Sequence, residues 1–196
     1  MIDICKDLEF YEANHLYKID GCVIPSVSQI IAPLSDRTYK NIDKKTLQHA
    51  ADKGTEVHFA IENWIKFGIE DIRGDYKKYF DGFIEWWNLN TPEVLGSEIK
   101  FYHKVLRYGG TADLICKIDG EVTLVDYKTS SNINELNYGI QLEAYARALE
   151  SQEVKIERKE ILHLKKDGKW KAYDFQVNDN KKWRYFNALY TLKDLL

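Results

Sequence analysis

The chain has 196 residues, 44% of them apolar, enough to bury one good core and within the ordinary range of a single domain. Charged residues make up 30% and aromatics 13%, which excludes a disordered chain, and no run approaches the ~18 apolar residues of a membrane-spanning helix. The net charge of −3 offers no global attraction to nucleic acid, but residues 155–196 hold 11 Lys+Arg against 6 Asp+Glu, so a basic carboxy-terminal region adjoins an acid-rich body.

The amino terminus, with Asp3, Lys6, Asp7 and Glu9, lacks the apolar core of a signal peptide, so an intracellular, cytoplasmic protein without a membrane partner is expected. Residues 15–19 and 22–24 flank Asp20-Gly21, a dipeptide that favours a two-residue hairpin turn, and Pro25-Ser26 reads as a helix entry. From about Asp43 to Phe67 the apolar residues Leu47, Ala50, Val57, Ile61 and Trp64 recur at helical spacing. A second helical run covers about Gly74 to Leu89 through Tyr79, Phe80, Phe83 and Trp87. Gly54 inside the first helix marks a break or a close backbone approach.

The middle of the chain changes period. Residues 98–105, 111–118 and 121–127 read as three strands of an antiparallel meander, with turns at Gly109-Gly110 and Asp119-Gly120. A helix over about 135–150 follows, then a hairpin of 161–164 and 170–175 turning at Asp167-Gly168, then a closing helix from about Asp179. The fold class is α+β, one domain over 1–196, divided into an amino-terminal hairpin with helices (1–92), a meander with its helix (93–151) and a basic hairpin with the closing helix (152–196). Cys5, Cys22 and Cys116 are far apart with no C-x-x-C pair, so buried thiols are expected and no iron–sulfur cluster.

The meander places chemistry. If Asp119-Gly120 is a two-residue turn, facing residues have numbers that sum to 239, as Asp113 and Asp126 do. Two carboxylates then sit opposite one another, with Lys128 on the same strand face as Asp126. At an effective dielectric of 20 and roughly 5 Å the repulsion is about 3 kcal/mol, which calls for a lysine, a shared proton or a cation. A divalent metal answers that demand and suits phosphoryl transfer. A surface ion pair in an ordinary hairpin is the competing explanation.

Gly110-Thr111-Ala112-Asp113, twelve residues, then Asp126-Tyr127-Lys128-Thr129 resembles the G-x-x-D…(D/E)-x-K core of the PD-(D/E)XK phosphodiesterases, and within them the RecB-type and phage-type exonucleases. Gly54-Thr55-Glu56-Val57-His58 resembles their upstream helix motif, and Gln141 with Tyr145 their downstream one. His15-x-Tyr17 through Pro25-Ser26-Val27-Ser28 is similar to the start of phage-type members. The resemblance covers residues 15–145. It implies a restriction-endonuclease-like core, a central mixed sheet built on the meander and flanked by helices. It implies catalytic Asp113, Asp126, Lys128 and Glu98, a metal site of His58, Asp113, Asp126 and Tyr127, and one or two Mg²⁺ or Mn²⁺ ions.

The resemblance implies that Gln141 and Tyr145 support the site and contact DNA, and the hydroxyls of Thr129 and Ser130 are candidates to meet a DNA phosphate. Glu98 is expected to open the first strand of the meander. Glu62, one turn after His58, either orients the imidazole or is a surface charge. No Gly-rich nucleotide loop is present, so no nucleotide cofactor is expected. The resemblance implies a DNA exonuclease of a bacterial or phage-infected cell, acting in recombination or DNA processing beside a partner such as a single-strand annealing protein. An endonuclease of the same chemistry, a degenerate binding module and a purely structural domain remain as alternatives.

Overall fold

A computed structural model describes residues 7–195; Asp3, Cys5 and Lys6 lie outside the described residues. The first described elements are strands β1 (Leu8–Tyr11), β2 (Leu16–Ile19) and β3 (Cys22–Ile24), which form a small antiparallel sheet. Asp20 and Gly21 both take positive φ (51° and 74°), as a type I′ turn requires, and Ile19 pairs with Cys22. Cys22 is exposed, against expectation, because this sheet turns that edge to solvent; Cys116 is buried.

Helix α1 (Val27–Tyr39) begins at a capping box: Ser26 Oγ accepts from Gln29 N, and the Gln29 side chain accepts from Ser26 N. Helix α2 (Lys44–Phe67) is capped by Asp43, which accepts from Thr46 N, and passes through Gly54 unbroken. Helix α3 (Lys77–Asn90) follows a single 3₁₀ turn.

The main sheet contains β4 (Glu93–Tyr102), β5 (Gly109–Ile118), β6 (Glu121–Lys128), β7 (Arg158–Leu164) and β8 (Trp170–Phe175), in that spatial order. Neighbours are antiparallel except β6 and β7, which run parallel because helix α4 (Glu135–Ser151) carries the chain across between them. Helix α5 (Asn180–Leu192) closes the fold. Phe80, Phe83 and Val57 of α3 and α2 pack with Leu114, Tyr127 and Leu162 on one face. Ile30, Ile140, Leu149 and Phe186 of α1, α4 and α5 pack with Leu124 and Ile161 on the other. Each such side chain, fully buried, contributes about 1.5–3 kcal/mol. The sheet thus has helices on both sides, the α+β class expected.

Two expectations need correction. Strand β4 begins at Glu93, so Glu98 lies inside it rather than at its start. Gly109-Gly110 makes no turn; both lie within β5, and the turn falls between His103 and Tyr108, where Arg107 takes φ 52°. The glycines answer to packing instead. A Cβ on Gly110 would sit 2.7 Å from the Phe101 ring, and one on Gly109 would sit 3.0 Å from the ring of Tyr17.

Candidate active site

The β5–β6 hairpin turns through Asp119 and Gly120, both at positive φ, and its ladder runs from Ile118↔Glu121 to Leu114↔Val125. That is the constant-sum register, and the next positions outward are Asp113 and Asp126. Pairing stops there. The carboxylate of Asp113 instead accepts from Tyr127 N at 2.7 Å, taking a main-chain donor of the diverging strand. On the other side, Ser97↔Leu114 and Ile99↔Ala112 bracket Glu98, which stands opposite Asp113. Glu98 has φ 52°, a left-handed conformation that costs an L-residue roughly 1–2 kcal/mol. Three carboxylates therefore line up across three neighbouring strands.

The parting of β5 and β6 opens the sheet to helices from both faces. From α2, His58 Nε2 lies 3.2 Å from the Tyr127 carbonyl oxygen and Nδ1 lies 3.5 Å from Asp113 Oδ2. A carbonyl only accepts, so Nε2 carries a proton. Burial works against a charge on this ring, but Asp113 outweighs it and raises the His58 pKa to about 9. Asp113 is in turn held below the usual carboxylate range by His58, despite burial.

From α4, Gln141 Nε2 donates to Asp126 Oδ1 (3.1 Å) and to the Tyr145 hydroxyl (3.0 Å), so the two helix residues act on Asp126 together. Lys128 forms an ion pair with the other oxygen of Asp126 and lies 5.1 Å from the centre of the Tyr138 ring. Burial, with Asp113 adding to it, raises the Asp126 pKa to about 6 even with Lys128 beside it. Burial, with Asp113 adding to it, likewise raises Glu98 to about 7. Carboxyls held this far from their ordinary range, in one cleft, characterise sites that handle charge.

One ligand atom each from His58, Glu98 and Asp113 falls within 4.8 Å of the others. Ligand atoms around one octahedral ion at ~2.1 Å stand about 3–4 Å apart, so a small contraction would close this group on a divalent ion. An imidazole beside carboxylate oxygens is a donor set that a divalent cation can use. Asp126 stands outside that compact group, because Lys128 and Gln141 engage it. Tyr127 buries its side chain against Phe83 and presents main-chain atoms to the site: its N–H to Asp113, its carbonyl to His58.

Thr129 and Ser130 do not line this cleft. Thr129 is buried, and the Ser130 hydroxyl donates to the Asn132 carbonyl at 2.9 Å. Glu62 pairs with Lys66 and takes no hydrogen bond from His58. The cleft, about 490 Å³, is walled by α2, α4 and the small amino-terminal sheet, and sequence reasoning missed several of its residues: Phe10, Phe59 and Lys100. Tyr138, beside Lys128, was also missed, although its spacing from Gln141 and Tyr145 puts all three on one helix face.

A mixed sheet flanked by helices, with carboxylates and a lysine where two central strands part, defines a metal-dependent phosphodiesterase core. Residues 34–192 match the PD-(D/E)XK nuclease superfamily, and the chain belongs to it. No curated protein sequence matches the chain. Solved structures similar to it include SSO0001, at 13% identity over 87% of this chain and 74% of that one, with a TM-score of 0.49. LHK-Exo in complex with dAMP is 10% identical over 88% of this chain and 86% of that one, with a TM-score of 0.42. An alkaline exonuclease, LHK-Exo from Laribacter hongkongensis, is 10% identical over 86% and 85%, with a TM-score of 0.39. Likeness at this level carries no argument about activity. No helix among the described residues is long and apolar enough to cross a membrane.

Proposed function

We propose that the protein is a DNA exonuclease of the RecB or phage type, hydrolysing phosphodiester bonds at a strand end. The observation that carries the reading is the convergence of His58, Glu98, Asp113, Asp126 and Lys128 at the floor of a cleft walled on three sides. A volume of about 490 Å³ suits a ligand of small-molecule size better than a duplex lying across the surface.

His58 through Nδ1, Glu98 and Asp113 would hold a divalent ion, with Asp126 beside them, while the Tyr127 carbonyl, accepting from Nε2, orients the imidazole. The ion, when bound, supplies charge neutralisation at the phosphate and a water of lowered pKa. Lys128 orients the attacking water and meets the charge that develops on the phosphate oxygens. Gln141 fixes Asp126 by one carboxylate oxygen, leaving the other to Lys128 or the ion. Without the ion, burial and Asp113 keep Glu98 protonated up to about pH 7. Because Asp113, Asp126 and Lys128 are all present and adjacent, a degenerate binding module is disfavoured. A recombination partner, such as an annealing protein, remains part of this proposal.

The test is one gel. End-labelled linear DNA and closed circular DNA are incubated with Mn²⁺ and the protein. Loss of label from the linear form with the circle intact is expected. Cutting of the circle overturns the exonuclease in favour of an endonuclease, and no cutting of either overturns both.

A further inference from the structure

A second concavity, about 430 Å³, lies behind the end of β6. Lys53 of α2, Ser130 and Ser131 of the loop after β6, His163 of β7, and Lys165 and Lys166 of the β7–β8 turn line it. Only a thin wall separates it from the cleft. Gly54 faces the cleft and Thr129 faces this pocket, and a Cβ on Gly54 would lie 3.8 Å from the Thr129 hydroxyl. Thr129 directly follows Lys128 in the chain.

The electrostatics of this pocket are one-sided. Among the described residues none of Lys53, Lys165 and Lys166 forms an ion pair, whereas Lys66, Lys77, Lys159 and Lys182 do. The one carboxylate in the lining, Asp167, is spent on its own turn, accepting from Lys169 N at 3.1 Å with Lys169 Nζ 4.0 Å away. Lys53 is half-buried, and burial together with Lys166 pulls its pKa below the ordinary lysine value. The loop carbonyls that would repel an anion are occupied: Lys53 Nζ donates to Thr129 O at 2.7 Å, and His163 Nε2 donates to Ser130 O at 2.7 Å. Like charges gathered without a counter-ion are a cost to the fold that a bound anion removes.

We propose that this pocket is a second phosphate site, holding a backbone phosphodiester of the strand whose neighbouring phosphate is cut in the adjoining cleft. The inference rests on the nuclease reading. Lysines on flexible stems grip a phosphodiester as point charges, without base preference, which suits a residue set that positions a strand rather than reads it. Gly54 on the cleft side and Thr129 on the pocket side form the wall between the two sites, so one strand can reach both.

The test compares two double variants of equal charge change. Lys165→Ala/Lys166→Ala removes the exposed arm of the pocket; Lys117→Ala/Lys155→Ala removes two lysines at the opposite end of the sheet. Binding of end-labelled DNA is measured in Ca²⁺ across a salt series. One lost phosphate contact lowers the slope of log K against log salt by about 0.7–0.9, and that fall is expected for the pocket variant alone. Turnover at saturating DNA with Mn²⁺ should stay within about threefold of wild type for Lys117→Ala/Lys155→Ala, which lies far from both sites.

An unchanged slope in the pocket variant, or equal falls in both, overturns the proposal while leaving the nuclease reading intact. Inorganic phosphate titrated alone is the second arm: binding lost in the pocket variant without any change in the DNA slope assigns the pocket to a free anion and overturns the strand site. Wild-type protein that neither binds nor cuts DNA overturns the nuclease reading, and this inference with it.

Discussion

Glu98 stores energy in two separable forms, and substitution can recover each. Its backbone is in the left-handed region at φ 52°, which costs roughly 1–2 kcal/mol, of which glycine would return part after its own entropic cost of about 0.5–1 kcal/mol. Its carboxyl is raised from 4.5 to about 7 by burial and by Asp113. At about 1.4 kcal/mol per unit, that shift is an upper bound of about 3 kcal/mol against the ionised form.

The folded pKa lies above the unfolded one, so the folded chain keeps a proton that the unfolded chain has lost between about pH 4.5 and 7. Stability therefore falls as pH rises through that window and stays lower above it. Metal-free Glu98→Gln should match wild type near pH 4.5 and exceed it by up to about 3 kcal/mol at pH 8. Glu98→Gly, which also lacks the carboxyl, should gain up to about 1 kcal/mol near pH 4.5 from relief of the backbone and, at pH 8, that gain on top of the one expected for Glu98→Gln.

Urea denaturation with excess chelator at the two pH values measures this directly. Added Mn²⁺ should narrow the gap at pH 8, because ligand at 100 times its Kd stabilises the intact site by about 2.7 kcal/mol and the Gln variant less. A Glu98→Gln protein no more stable than wild type at pH 8, or equally favoured at both pH values, would refute the reasoning.

Lys128→Ala should lower turnover by about 10²–10³ while DNA affinity in Ca²⁺ changes far less, as read by single-turnover cleavage and binding on the same labelled duplex. Mn²⁺ should support cleavage at least as well as Mg²⁺, Ca²⁺ should permit binding without turnover, and excess chelator should abolish cutting. Lys159 is fully buried and its hydrogen-bonding partner is Glu143 of α4, which also accepts from Arg147 Nε (2.9 Å) and Asp179 N (3.2 Å). Glu143→Leu should therefore cost about 3–5 kcal/mol in chemical denaturation, and Lys159→Met less, because Glu143 keeps its two other donors. The Glu143→Leu/Lys159→Met double variant should recover most of the loss, since no buried charge is then left alone.

What the sequence determined by itself was local. The Asp-Gly dipeptides at 20–21 and 119–120 set turns with two positive φ angles, and the second fixed the register up to Leu114↔Val125, beyond which the strands part at Asp113 and Asp126. Helical periodicity over α2 and α4 put His58, Gln141 and Tyr145 on identifiable faces, and the motif around them matched the family. These features depend on residues near one another in the chain, so spacing carries them.

Other features belong to the tertiary structure, because they depend on which distant surfaces meet. Gly109-Gly110 looked like a turn, but the pair is small to admit Phe101 and Tyr17, partners from other strands. Glu98 was expected at the start of its strand, yet it lies inside β4, opposite Asp113, and so joins His58 and Asp113 in a group of candidate ligands. Lys159 in a strand and Lys53 on a helix look like ordinary surface lysines. Only the packing of α4 on β7 buries the first against Glu143, and only the approach of the β7–β8 turn to α2 gathers the second with Lys165 and Lys166. Burial and opposing charge decide what such groups can do, and neither is a property of sequence spacing.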